Sequence, residues 1–331
     1  MKRNYTLDFI KIIFTIIIVF HHLQNKMEFK LIHSAYICVE MFFMISGFFL
    51  YKKYANNKEM NACDYTIKRI KNIYPVYFLG LLTMFVFNRC KLEVAPKFLV
   101  ECFLVQGLGL TSSWGSNLLY PCWYISVMII GGYFIFYLIK RNEKLFVKFL
   151  APLIAVFTYT ILNGSFEKWT SVYGLFLPFW RGMADMSIGV ILAYFTNTLE
   201  FKKLSSFFEK NRICLSLIEI GLLIGISMLI VDSKNFEFLC LVLFPIMIII
   251  SQFDFGLYYR VFNKKIFSKI NELSYPVYVL HAPCIIFFNK FIINMFSSIE
   301  WRIICVVLMY VSLYVAAYIL VRLQKYMLKK D

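Results

Sequence analysis

Apolar runs separated by short, polar and often basic segments recur along the whole chain. Ten of them approach the length of a bilayer-crossing helix: 7–23, 35–51, 73–88, 122–139, 146–162, 176–195, 213–231, 237–252, 275–293 and 303–322. A spanning helix needs about 20 largely apolar residues, so the shorter runs are expected to extend into their flanks. The pattern predicts an all-α polytopic membrane protein, with about ten transmembrane helices in one bundle. No repeat, low-complexity linker or long polar loop interrupts it, and one membrane domain over 1–331 is expected. The further apolar stretch 96–110 carries Glu101; its length predicts an interfacial or re-entrant helix rather than a span.

Composition agrees with a membrane protein. Of 331 residues, 60% are hydrophobic and 16% charged, whereas a globular domain is nearer half apolar and a quarter charged. Run 7–23 is long, isoleucine-rich and not followed by a small-residue cleavage site, so it reads as a retained span. The net charge of +16 would suggest a nucleic-acid partner in a soluble chain. Here its placement gives a simpler account, and no nucleic acid is needed. With ten spans, and with Lys148, Lys290 and Arg322 at run ends counted with the adjoining loops, 24 of the 35 Lys and Arg fall on the side of the N-terminus and nine on the other, leaving Lys11 and Arg181 within spans. Cytoplasmic loops carry the basic excess, which predicts a multi-pass cell-membrane protein with both termini cytoplasmic. Nine cysteines form no CxxC pair. Cys90 and Cys102 share one loop and could pair in an oxidising space, although the odd total argues against a disulfide framework. Only four histidines and no clustered carboxylates predict no metal site.

Chemistry is sought where polar groups sit in apolar runs, since each charge there costs roughly 2.5–3.5 kcal/mol on insertion scales. The first run carries Asp8, Lys11, Thr15 and His22. At about 100° per residue, Lys11 and His22 lie about 20° apart and Asp8 within about 60° of both, whereas His21 points about 80° away from Lys11. That stripe either faces the bundle interior or marks two snorkelling helix ends. In the second run, Glu40 and Gly47 share a face, and Ser46-Gly47 permits close helix approach or a substrate cavity. Lys68, Arg69, Lys71 and Asn72 precede the third run, as ordinary basic flanking or as a mouth for an anionic ligand, for which arginine's bidentate fork is suited. Trp123 and Tyr124 open the fourth run at the position of an aromatic belt. Arg181 and Asp185 in the sixth can pair as i and i+4. Ser274, Tyr278 and His281 share one face of the ninth, with His281 about 10 Å inside. Glu219 has no evident partner along the sequence.

Taken together, the basic residue eleven before a histidine in the first run, FFMISGFFL, RIKNIYP, WYIS and LSYPVYVLH resemble the acyltransferase 3 family of integral membrane O-acyltransferases, which modify cell-surface sugars. The resemblance covers nearly the whole chain. It places Lys11 and His22 at the family's Arg-x10-His pattern, and Arg69-Ile-Lys-Asn72 at its Arg-x-x-Arg loop. Glu40 stands where the family often has an acidic residue.

The resemblance implies acyl transfer from a cytoplasmic thioester, acetyl-CoA or another acyl-CoA, to a hydroxyl of a glycan or lipid-linked glycan, with no permanently bound cofactor. His22, Lys11, Glu40 and His281 become candidate catalytic residues. Arg69, Lys71, Lys68 and Asn72 become donor-binding candidates, and Ser46, Gly47, Trp123 and Tyr278 candidates for the substrate path. Lys11 lies too far along the helix, roughly 16 Å at 1.5 Å per residue, to touch His22. A channel is therefore expected, with the donor at the basic end and His22 at the other. A transporter or flippase of a lipid-linked sugar is the alternative; internal repeats, which would favour it, are not found. The acceptor and the oligomeric state stay open.

Overall fold

A computed structural model describes residues 3–24, 31–109, 117–162, 166, 171–172, 175–233, 236–291 and 299–327. Each of the ten apolar runs falls on a helix. α1 (Tyr5–Gln24), α2 (Cys38–Asn56) and α3 (Ala62–Phe87) are followed by a short α4 (Ala95–Cys102). Beyond α5 (Trp123–Arg141), α6 (Glu143–Leu145) runs through one π-turn into α7 (Ala151–Leu162). A two-residue antiparallel pair, β1 (Ser171–Val172) with β2 (Leu175–Phe176), precedes α8 (Leu177–Phe195). Then come α9 (Leu199–Lys210), α10 (Arg212–Val231), α11 (Cys240–Ile250), α12 (Gly256–Phe262), α13 (Lys265–Asn271), α14 (Ser274–Phe291) and α15 (Ile299–Met327).

Among the described residues, seven helices are long and apolar enough to cross a membrane. The expected count was about ten. The remaining three runs are α8, α11 and α14. α8 carries Arg181 and Asp185, α14 carries His281 and Lys290, and α11 has only eleven residues, so their own hydropathy or length is weaker. Segment 96–110 does not cross: α4 has eight residues, or about 12 Å of helix. Glu101 is buried at its end and accepts the backbone N–H of Leu119 at 3.0 Å and that of Leu118.

Small residues set the closest helix crossing. A Cβ added to Gly47 on α2 would lie 1.9 Å from the carbonyl oxygen of Met186, and one added to Gly189 on α8 would lie 1.9 Å from that of Met44. Backbone meets backbone at both points, so no side chain can give way. This is the close approach that small residues allow between membrane helices. α1 packs on α14, where Val19, Leu23, Val277 and Ile285 join α15 in a second apolar cluster. Glu219 finds its partners across the fold: its carboxylate accepts the N–H groups of Leu257 at 2.7 Å and Tyr258 at 2.9 Å, at the start of α12. Those are orphan donors of a helix N-terminus. All nine cysteines, Cys90 and Cys102 included, are free thiols.

Candidate functional site

Two cavities of about 310 Å³ each lie along α1, one at each end. Lys11, Thr15, Ser46, Arg69, Tyr124 and Ser274 line the near one, toward the N-terminal end of α1. Lys11 Nζ lies 3.1 Å from Asp8 Oδ1 and 5.4 Å from the centre of the Phe49 ring. Asp8 is buried and also holds Arg3 Nε at 2.7 Å and Asn271 Nδ2 at 2.8 Å. Its carboxylate thus gathers α1 and α13 around the mouth and fixes the lysine. Arg69 donates from Nη2 to Ser46 Oγ at 3.3 Å and from Nη1 to the Tyr65 hydroxyl. Of the four basic-loop candidates only Arg69 lines this cavity. Lys68, Lys71 and Asn72 are exposed outside it, and the Asn72 carbonyl accepts from Gln324 Nε2 at 2.8 Å. The helical period turns Arg69 inward and its neighbours outward.

His21, His22, Tyr36, Tyr120, Trp123 and Arg181 line the far cavity. The His22 ring stacks on that of His281, with centres 5.2 Å apart and planes 23° apart, and meets Tyr120 edge-on at 5.2 Å. His281 is fully buried; its Nδ1 donates to the Tyr278 carbonyl, and Nε2 has no hydrogen-bond partner among the described residues. With the proton on Nδ1, Nε2 is left as an acceptor. His21 turns to the Ile32 carbonyl, 3.3 Å from its Nδ1.

Glu40 lines neither cavity. It is 0% exposed, and its Oε1 lies 3.1 Å from Arg181 Nε, an ion pair whose angle falls short of a hydrogen bond. Arg181 also donates from Nη1 to the Phe166 carbonyl, and its guanidinium sits 5.0 Å from the centre of the Trp123 ring. Asp185, expected as a partner on the same helix, accepts from the Tyr159 hydroxyl and lies close enough to Glu40 and Arg181 to feel both charges. Gly47 faces the α8 backbone and lines neither cavity. Sequence spacing had paired Arg181 along its own helix. Its true place, in the wall of the His22 cavity, depends on α2 crossing α8.

Tyr278 lines both cavities. Its ring lies 5.9 Å from Tyr124 and 6.4 Å from Phe42, and its hydroxyl donates to the Pro121 carbonyl. Tyr278 thus stands between the two cavities, with Tyr124 and Phe42 beside it in the wall of the near one. Among the described residues, no group of three or more His, Cys, Asp or Glu could hold a metal ion.

No curated protein matches the chain, and no solved structure does. A model of the acyltransferase 3 family, described as an acyltransferase domain, matches residues 4–321. That range takes in both cavities and every helix around them. Matched over nearly its whole length, the chain belongs to the acyltransferase 3 family and is a membrane acyltransferase.

Proposed function

We propose that the protein moves an acyl group, acetyl in the first instance, from a cytoplasmic acyl-CoA to a hydroxyl of a cell-surface carbohydrate or its lipid-linked precursor. One observation carries this reading: a cavity with two cations and a cavity with an imidazole meet at one tyrosine, Tyr278. Read by the basic excess of cytoplasmic loops, the uneven spread of Lys and Arg would have the cavity of Lys11 and Arg69 face the cytoplasm. There Arg69, with Lys11, would meet the donor's phosphates, for which a guanidinium offers two parallel donors. The donor's acyl arm would pass the aromatic partition, and the acceptor would enter the far cavity, where aromatic walls suit a sugar ring.

The acceptor hydroxyl is a weak nucleophile until a base takes its proton. The His22 imidazole, when neutral, has a ring nitrogen free to accept that proton as the oxygen attacks the thioester carbonyl. It can return it to the sulfur when the carbon–sulfur bond breaks. His281 holds the His22 ring by stacking on it.

Membranes carrying this protein, given acyl-labelled acetyl-CoA and candidate glycans, test the reading. Label on the glycan supports it. Glycan movement across the membrane without label transfer would overturn it in favour of a transporter.

A further inference from the structure

We infer that Arg181 stabilises the oxyanion of acyl transfer in the far cavity and that Glu40 is the residue that positions it. The inference rests on the acyl-transfer reading above. Arg181 is 2% exposed yet lines the cavity that His22 lines. Its guanidinium is fixed before any substrate arrives, by Glu40 Oε1 at 3.1 Å, by the Phe166 carbonyl and by the face of Trp123 at 5.0 Å. A positive charge already locked in place is what a developing anion needs, because nothing must reorganise during the reaction.

The alternative account, that the pair simply holds α2 to α8, is weak on energetic grounds. Burying two charges costs about as much as their attraction returns, and apolar replacements of similar volume often serve stability as well. Gly47 and Gly189 already bring the two helices to backbone contact. A charge kept on a cavity wall therefore points to chemistry at that wall. The cavity, about 310 Å³, is at the small end of ligand sites, ~300–1,000 Å³. An acyl centre bound in it meets both His22 and Arg181.

The step balances. The acceptor oxygen bonds to the thioester carbon, His22 takes the hydroxyl proton, and the carbonyl electron pair moves onto oxygen toward Arg181. When that pair returns, the carbon–sulfur bond breaks and the sulfur leaves with the proton from His22. Glu40 touches no substrate; it sets the guanidinium and balances its charge before the reaction.

Two variants of the full-length protein test this, assayed with labelled acetyl-CoA and the glycan that accepts label from wild type. Arg181→Lys keeps the charge but loses the fork. The double variant Arg181→Met with Glu40→Leu removes both charges together, which avoids leaving one buried and unpaired. We expect kcat to fall roughly 10²-fold or more in the double variant and less in Arg181→Lys, with direct binding of coenzyme A unchanged in both. Either folded variant transferring at the wild-type rate would overturn the role of Arg181. Loss of coenzyme A binding together with kcat would overturn it too, by pointing to a scaffold role. Failure of wild type itself to label any glycan would instead strike the acyl-transfer reading.

Discussion

The imidazoles of His22 and His281 lie face to face, 5.2 Å between ring centres and 23° between planes. One is on α1 and faces the far cavity; the other is on α14, buried, with Nδ1 tied to its own helix. The buried ring thus holds the other in place. His22→Ala is expected to remove roughly 10²–10⁴-fold of the acyl-transfer rate, as loss of a general base does, with the protein still reaching the membrane. His281→Leu, which keeps volume but not the ring, should lower kcat by a smaller factor. His21→Ala should be milder than His22→Ala. Initial rates at equal protein amounts check all three, and equal rates for His21→Ala and His22→Ala would remove His22 from the mechanism.

Arg69 reaches Ser46 inside the near cavity, whereas Lys68 and Lys71 stand outside it. Arg69→Ala should raise the donor KM more than it lowers kcat. Lys68→Ala and Lys71→Ala should cost little, and that little should fade near ~1 M salt, where exposed charges are screened beyond about 3 Å. An unchanged KM in Arg69→Ala would reduce the loop to plain positive flanking.

Gly47 leaves no room for a methyl group against the Met186 carbonyl. Gly47→Ala should destabilise the fold by about 1–3 kcal/mol or more, the cost of overpacking. Gly221 on α10 has nothing among the described residues within 4 Å of an added Cβ. Gly221→Ala should therefore be neutral or stabilising by up to ~1 kcal/mol, because alanine loses less entropy in a helix. Thermal unfolding in detergent separates the two.

Glu101 sits outside the spanning helices, on α4. Burial pushes its carboxyl from 4.5 up to about 7, against the lowering effect of the Leu119 and Leu118 N–H groups and of Lys97. A group whose folded pKa is raised favours folding fully below its unfolded pKa and loses that contribution as pH rises through the folded value. The stability that Glu101 contributes should thus fall between about pH 4.5 and about pH 7. Glu101→Gln should flatten this part of the profile. Melting temperature against pH for both proteins is the measurement, and parallel curves would contradict it.

Hydropathy along the chain located every helix that carries an apolar run, and the resemblance on scattered motifs agreed with the family match over 4–321. Spacing on single helices also worked. Lys11 and His22 do line cavities on α1, and Tyr278 and His281 do share a face of α14. Reasoning along one helix went astray where a partner lies on another. Arg181 pairs with Glu40 on α2, Asp185 takes Tyr159 on α7, and Glu219 takes the start of α12. Within the basic loop, sequence alone could not say that Arg69 faces inward while Lys68, Lys71 and Asn72 face out.

The sequence by itself determined which segments are helices, that they belong in a membrane, and which residues share a stripe on each one. Those properties follow from hydropathy and from the 3.6-residue period, which are local. Only the tertiary structure decided which stripes meet: that His22 stacks on His281, that Glu40 holds Arg181 at the far cavity, and that Tyr278 divides the two cavities. Such pairings depend on how helices far apart in sequence cross, and here backbone contact at Gly47 and Gly189 sets the crossing of α2 with α8.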